Sequence, residues 1–414
     1  MGHVRTASRD LGHHPSTDTT QRDAQGYPAI MKTAITEMLG IDVPILAFTH
    51  CRDVVAAVTK AGGMGVLGAV AHSPEQLEID LAWIEAEVGD KPFGIDLIVP
   101  AKYAGSDGGG FTIDDVRALI PAEHRAFVDD ILRRYDVPPL ADRGDRVPGR
   151  GEWGDGGGRA APFSAAQADS LLEIALAHRP SLVVNALGPP PAHMIERTKE
   201  EGRLVGALAG KAQHAERHVN VGVDIIIAQG AEAGGHTGEV GTMVLIPEIV
   251  DAVAPVPVLG AGGIGRGRQM AAAMALGAAG VWCGSVWLTT DEAETHPVVK
   301  QKFLKATSSD TVRSRSRTGK PARQLRTAWT DEWDDPTHPQ PLGMPMQPLL
   351  VGEALARIDR AAYRAGSGAE QLTNYFVGQI VGSMNQTKSA AQVVFDMIDE
   401  FIETVQALGH QLDV

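Results

Sequence analysis

The stretch that decides the fold is residues 222–238, which reads Gly-Val-Asp-Ile-Ile-Ile-Ala-Gln-Gly-Ala-Glu-Ala-Gly-Gly-His-Thr-Gly. Its first half, residues 223–228, is a mostly apolar, Ile-rich run, which is typical of a strand buried on both faces in a parallel sheet. Its second half carries glycines that let the backbone turn sharply and one ionisable ring, His236. A buried strand that opens into a glycine loop with a histidine indicates the edge of an active site.

The same alternation of strand and helix repeats along the chain. Eight apolar segments are predicted to be strands, and they span residues 43–48, 62–69, 93–99, 181–187, 204–209, 223–228, 256–260 and 281–286. Successive strand and helix units of this kind predict an α/β protein with a (β/α)8 TIM barrel, in which the active site lies at the carboxyl ends of the strands. The glycine loop after residue 228 lies at such an end.

The barrel domain is predicted over residues 31–414. Residues 1–30 are polar and aperiodic, which predicts a disordered N-terminal extension without the apolar segment of a secretory signal. Residues 103–169 interrupt the alternation after the third strand with glycine-rich runs around a helix-like middle, and both a lid over the barrel mouth and a mobile solvent loop stay open. Residues 296–414 form a helical and irregular C-terminal part, which ends in an amphipathic helix at 392–408.

The composition indicates a globular protein that acts on small molecules. The formal net charge of -14 argues against nucleic-acid binding, which needs clustered Lys and Arg. No apolar run reaches the ~18 residues that cross a membrane. The two cysteines, Cys51 and Cys283, fit no metal spacing, so we expect no metal site and a reduced, cytoplasmic protein.

Two glycine-rich segments follow the seventh and eighth predicted strands. They are Gly260-Ala261-Gly262-Gly263-Ile264-Gly265 and Cys283-Gly284-Ser285. In TIM barrels the loops at these strands commonly hold a phosphate with backbone N–H groups and a helix N-terminus. Either segment alone could be a tight turn, but the pair at the expected strands indicates a phosphate site.

These motifs resemble those of the nitronate monooxygenase family, formerly called 2-nitropropane dioxygenases, which are FMN-dependent barrel enzymes. The resemblance is carried by the Ala-Gln-Gly-x-Glu-Ala-Gly-Gly-His string within residues 228–238, by residues 260–265 and by residues 280–285. Shorter matches occur at residues 61–65 and 378–382. The resemblance covers nearly all of the chain from residue 31 onward, apart from residues 103–169.

The resemblance implies a role for each matching residue. His236 matches a catalytic base that removes a proton from the carbon next to a nitro group, a task that suits an imidazole. Gln229 matches a residue that hydrogen-bonds the flavin, while Gly234 and Gly235 would let the loop lie against it. The other expected FMN contacts are Gly262, Gly263, Gly284 and Ser285 at the phosphate, and Ala47, Phe48 and Asp96 at the first and third strands.

The chain departs from the family's pattern near this site. The first strand ends in Ala47-Phe48-Thr49-His50-Cys51 instead of the usual Pro-Met, and no lysine matches the family's lysine near residues 185–188. Asp96 stands where an Asn that contacts the flavin is common, and a carboxylate there would need a proton or a partner of its own. His50 is interpreted either as a second polar group at the mouth of the site or as a helix-start or surface histidine.

Three functions of different classes remain open. The resemblance implies FMN-dependent oxidation of alkyl nitronates or nitroalkanes with O2. The altered first strand, Asp96 and the basic run at 313–326 favour an NAD(P)H-dependent reduction of an enoyl thioester or quinone, because basic residues could attract an anionic thioester. That run could also be a solvated surface, and the chain could be a flavin-binding protein without turnover. We expect small-molecule partners and leave a homodimer open.

Overall fold

The computed structural model describes residues 31–70, 72–99, 113–140 and 165–411. The predicted extension at 1–30 and the glycine-rich runs of 103–169 lie outside the described residues. The strands of the described part are β1 (Ile45–Thr49), β2 (Met64–Gly68), β3 (Gly94–Leu97), β4 (Leu182–Asn185), β5 (Leu204–Ala209), β6 (Ile225–Gln229), β7 (Gly235–His236), β8 (Val258–Ala261), β9 (Gly280–Cys283), β10 (Thr311–Ser314) and β11 (Ala322–Leu325).

Eight of these strands close into a barrel in the order β1-β2-β3-β4-β5-β6-β8-β9, and every neighbouring pair is parallel. Each coincides with one of the eight predicted strands, so the predicted TIM barrel is confirmed. The remaining strands, β10, β11 and β7, form a separate antiparallel sheet in that order.

Helices follow most of the barrel strands and cover the barrel. In chain order they are α1 (Ala34–Leu39), α2 (Arg52–Lys60), α3 (Pro74–Val88), α4 (Ile113–Ala118), α5 (Ala122–Arg134), α6 (Ala165–Ala177), α7 (Ala192–Glu200), α8 (Ala212–Asn220), α9 (Thr242–Val253), α10 (Gly267–Ala275), α11 (Pro297–Lys305), α12 (Ala328–Asp334), α13 (Met346–Ala362), α14 (Ala369–Leu372) and α15 (Ala390–Gln411). Among the described residues, no helix is long and apolar enough to cross a membrane.

Local sequence explains where several helices begin. The Ser73 hydroxyl accepts the Gln76 N–H at 3.2 Å, and Pro74 occupies the first turn, so α3 begins where its cap residue stands. Thr33 caps α1 in the same way, and Gly40 ends that helix with a φ of 66°.

Alternation along the strands divides the core into two shells. Inside the barrel lie Leu46, Met64, Val66, Leu182, Val184, Ile225, Ile227, Leu259 and Trp282. The intervening residues point outward and pack against the helices, among them Ala47, Val205, Ala207, Ile226 and Val281. Gly65 shows how closely the helices approach, because a Cβ there would lie 2.4 Å from the carbonyl oxygen of Val55 in α2. Each fully buried Leu or Ile stabilises such a core by roughly 1.5–3 kcal/mol.

The described part of the segment after β3 packs against the C-terminal part of the chain. Phe127 of α5 meets Trp333 of α12 edge to face, with ring centroids 5.0 Å apart, and both belong to one apolar cluster with α13. Arg134 forms two hydrogen bonds of 2.6 and 2.7 Å with the Glu332 carboxylate. The middle of the segment 103–169 is therefore helical and packed, while the lid interpretation of its glycine-rich runs stays a prediction.

Candidate active site

The carboxyl ends of the barrel strands form a mouth with an aromatic rim. Phe48, near the end of β1, stacks on Trp282 of β9 with ring centroids 5.8 Å apart and an interplanar angle of 22°. The His50 ring meets Phe48 edge to face at 5.2 Å. These rings give the mouth a flat apolar side next to β1.

His50 belongs to this rim. Its Nδ1 lies 2.7 Å from the carbonyl oxygen of Gly68, so the neutral ring donates Nδ1–H to that carbonyl. Burial lowers the pKa of His50, which keeps the ring neutral. A Cβ at position 68 would lie 2.8 Å from both the His50 and Phe48 rings, so a larger residue there would force these rings to move.

Asp96 is a buried carboxyl inside the mouth. It pairs with Gly68 and Val184 on the neighbouring strands, and since Val184 faces the barrel interior, Asp96 does too. The side chain is 4% exposed, and no described residue hydrogen-bonds its carboxyl group. Burial raises the pKa of Asp96 well above its ordinary value, so the neutral acid is favoured.

Gln229 ends β6 two residues after the inward-facing Ile227 and therefore points into the same mouth. Within the described part of the chain, its amide makes no hydrogen bond. Gln229 and Asp96 thus offer one free amide and one neutral carboxyl group to a ligand.

The glycine loop after β6 is held in place by Glu232. The Glu232 carboxylate accepts the backbone N–H of Thr242, at the start of α9, at 2.9 Å, and lies 2.8 Å from the Thr242 hydroxyl. The Gln379 N–H donates to the carbonyl oxygen of Glu232 at 2.9 Å. A Cβ on Gly234 would lie 2.9 Å from the Gly378 nitrogen, whereas Gly235, with a φ of 74°, has open space where its Cβ would be. The loop is thus closed on one side and open on the other.

His236 extends from this loop as part of β7, and β7 pairs with β11 through the partners His236 and Ala322. Its Nε2 lies 2.8 Å from the Thr318 hydroxyl oxygen, and the Phe376 ring lies 6.1 Å away. One side of the His236 ring is exposed to solvent, while the surrounding protein removes part of the water from the other side. This partial desolvation and the nearby positive charge of Lys320 both lower the pKa of His236. The imidazole is therefore neutral near pH 7 and able to accept a proton.

The basic run at 313–326 forms β10, β11 and the turn between them. Ser314, Ser316, Thr318 and Gln324 are buried, while Arg313, Arg315 and Lys320 are exposed. Arg317 hydrogen-bonds the side-chain and backbone oxygens of Asn374 at 3.0 and 2.7 Å. The run is therefore not only a solvated surface, since it carries the strand that supports His236.

A second part of the mouth is formed by glycines after β8 and β9. Gly262 and Gly263 have φ values of 100° and 69°, which favour glycine. The side chain of Gln269 in α10 holds this loop through two hydrogen bonds. Its Oε1 accepts the Gly265 N–H at 3.0 Å, and its Nε2 donates to the Gly263 carbonyl oxygen at 2.7 Å. Ser285 accepts the Gly378 N–H on its hydroxyl at 2.8 Å.

These loops leave backbone donors free. The N–H groups of Gly263, Gly284 and Ser285 donate in none of the hydrogen bonds between described loops and turns. A Cβ on Gly284 would have Phe48 at 3.7 Å as its nearest neighbour, so there is open space beside this residue. Free N–H groups at a helix start are suited to a phosphate. With the unpartnered Gln229, they fit a flat ligand that carries a phosphate, such as a flavin nucleotide.

The structure brings nearly all the predicted site residues to this mouth. Ala47 differs, because its side chain is fully buried between barrel and helices. Sequence reasoning missed the contributions of Thr318, Phe376 and Gln269. Thr318 lies 82 residues from His236 along the chain, and no local pattern marks that contact.

Comparison with known proteins finds several similar chains. A family model described as nitronate monooxygenase matches residues 32–118 and 157–400. A Mycobacterium tuberculosis protein provisionally named monooxygenase Rv1533 is 59% identical over 91% of this chain and 98% of its own length. An octahydro-indene carboxyl-CoA dehydrogenase of the same organism is 31% identical over 72% of this chain and 67% of its own. The structure of nitroalkane oxidase from Streptomyces ansochromogenes, 24% identical, superimposes with a TM-score of 0.73 over 91% of this chain and all of its own, which shows a shared fold.

Proposed function

This chain belongs to the nitronate monooxygenase family, whose members are flavin-dependent oxidoreductases. We propose that it oxidises alkyl nitronates and small nitroalkanes with O2. In this proposal FMN is the cofactor and His236 is the base. The observation that carries the proposal is the His236 imidazole at the rim, with a lowered pKa, one nitrogen held by Thr318 and the other free.

Different residues of the mouth would bind different parts of FMN. The N–H groups of Gly263, Gly284 and Ser285 would hold the phosphate of FMN, and the Gln229 amide would hydrogen-bond the edge of its ring system. Gly235 would let the loop lie close to the ring, because nothing occupies the space beside it. Bound FMN would supply the redox chemistry, taking electrons from the substrate and passing them to O2.

His236 performs the proton transfer that a neutral nitroalkane requires. The carbon next to the nitro group must lose a proton, and a neutral imidazole at the rim accepts it. A nitronate has already lost this proton and does not need the base. The positive charge of Lys320, which acts on His236, also favours an anionic substrate in the recess.

Substrates in their two protonation states test the role of His236. We expect His236→Ala to retain flavin, to lose about 10²- to 10⁴-fold in kcat/KM on neutral nitroethane, as is usual for a general base, and to keep most of its activity on ethyl nitronate. If His236→Ala keeps full activity on nitroethane, the role of His236 as the base is rejected. A purified protein that binds no flavin after reconstitution with FMN would reject the whole proposal.

A second candidate is the NAD(P)H-dependent reduction of an enoyl thioester or quinone, and one feature of the second sheet favours an anionic thioester. Arg313 and Arg323 stand directly opposite each other in β10 and β11, and neither forms an ion pair with a described carboxylate. Facing like charges destabilise a sheet, so an anionic ligand would relieve the repulsion. The similarity to a dehydrogenase named for a carboxyl-CoA compound points the same way. Anaerobic bleaching of the flavin by NADH or NADPH, but not by ethyl nitronate, would establish this candidate over the first.

A further inference from the structure

Thr318 stands behind the candidate base in a buried turn between β10 and β11. Its side chain is 4% exposed, and its hydroxyl oxygen lies 2.8 Å from Nε2 of His236. The same hydroxyl oxygen lies 3.2 Å from the carbonyl oxygen of Lys320 and 3.4 Å from the Lys320 nitrogen. Three polar groups therefore surround one hydroxyl.

The hydrogen atoms of this group can be assigned by counting. A hydroxyl has one hydrogen to donate and two lone pairs that accept. The Lys320 carbonyl oxygen can only accept, so it takes the hydroxyl hydrogen, and the Lys320 N–H can only donate, so it occupies one lone pair. The second lone pair remains for His236, whose Nε2 must then carry a hydrogen. If Nε2 accepted instead, the Lys320 carbonyl would lose this donor, and the group would form two hydrogen bonds instead of three.

We infer that Thr318 is a positioning residue that holds His236 in the tautomer with hydrogen on Nε2, leaving the lone pair of Nδ1 to accept the substrate proton. This inference rests on the proposed base role of His236. Nδ1 makes no hydrogen bond to any described residue and is therefore free for the substrate. When Nδ1 takes the proton, the ring becomes charged, and its Nε2–H bond to the Thr318 oxygen strengthens. The hydroxyl thus supports the base before and after the transfer.

Two substitutions at position 318 separate the hydroxyl from the shape of the side chain. Thr318→Val keeps the branched shape and removes the hydroxyl, while Thr318→Ser keeps the hydroxyl. We expect Thr318→Val to lose about 10- to 100-fold in kcat/KM on nitroethane, less than removal of a whole base costs. Its kcat/KM on ethyl nitronate should stay within about threefold, and Thr318→Ser should restore most of the nitroethane activity. Equal losses on both substrates would indicate a merely structural role and overturn the inference.

The tautomer can be observed without turnover. In the flavin-loaded protein labelled with 15N histidine, and assigned with His236→Gln, the wild type should show hydrogen on Nε2 and a bare Nδ1 above the pKa of the ring. Thr318→Val should show a mixture of tautomers. A wild-type spectrum with hydrogen on Nδ1 would overturn the inference. Because this spectrum needs no substrate, it separates failure of the Thr318 assignment from failure of the nitronate proposal, which would appear as a wild type inactive on both substrates.

Discussion

The proposed phosphate site is most directly tested at Gly284. The added methyl group of Gly284→Ala fits the protein itself, because its nearest neighbour would be Phe48 at 3.7 Å, an ordinary contact. The backbone φ of -114° needs no glycine either. Folding of the flavin-free protein should therefore change by no more than about 0.5 kcal/mol.

The same methyl group would take up part of the open space beside a residue whose N–H is free. If it displaces one hydrogen bond to a charged phosphate, worth about 1.5–3 kcal/mol, the Kd for FMN rises about 10- to 150-fold. Flavin-free protein titrated with FMN and followed by quenching of flavin fluorescence gives this Kd, and thermal unfolding without FMN gives the stability. Gly343→Ala is a matched control, because Gly343 also has open space but belongs to the connection between α12 and α13 rather than to the glycine segments of the mouth. An unchanged Kd in Gly284→Ala, with both variants equally stable, would refute the assignment of Gly284 to the phosphate.

Two further predictions concern charge in the mouth. Burial raises the pKa of Asp96, so the stability it contributes is complete below the pKa of the unfolded chain and is lost as the pH rises through the folded pKa. Asp96→Asn should therefore be more stable than the wild type near pH 7 in urea unfolding, and this advantage should vanish near pH 3; equal stability at both pH values would show that Asp96 is ionised or paired. For His236, kcat/KM on nitroethane should fall as the pH drops through its lowered pKa, and Lys320→Met should move this fall to higher pH, because the lysine's positive charge depresses that pKa. If Lys320→Met and the wild type have the same pH profile of kcat/KM, the lysine does not affect the pKa of His236.

The barrel could be predicted because its signals are local. Long apolar runs marked all eight strands to within a few residues. Parallel strands also have to end at the same edge of the barrel. For that reason Gln229, Asp96 and the two glycine segments could be assigned to one site from their positions after the predicted strands.

The support of His236 could not be predicted, because it depends on contacts between distant residues. β7 has only two residues, too few to show a period, and it pairs with β11, more than 80 residues later. The alternation Arg-Ser-Arg-Ser-Arg in the basic run does have the period of a strand. Its buried side consists of Ser and Thr rather than apolar residues, so a search for hydrophobic alternation does not find it.

The dependence of His236 on β11 and on residues 377–379 has a consequence for synthesis of the chain. The last barrel strand ends at Cys283, whereas Gly378 contacts both Ser285 and the loop that carries His236. Ribosomes add about 5–20 residues per second, so the barrel strands are all made roughly 5–20 s before the loop receives its support. A nascent chain would pass through a stage in which the barrel can bind a nucleotide phosphate but lacks an ordered base. Under the proposed function, the cofactor would bind before the base is supported, so the growing chain would hold a flavin before it can remove a substrate proton.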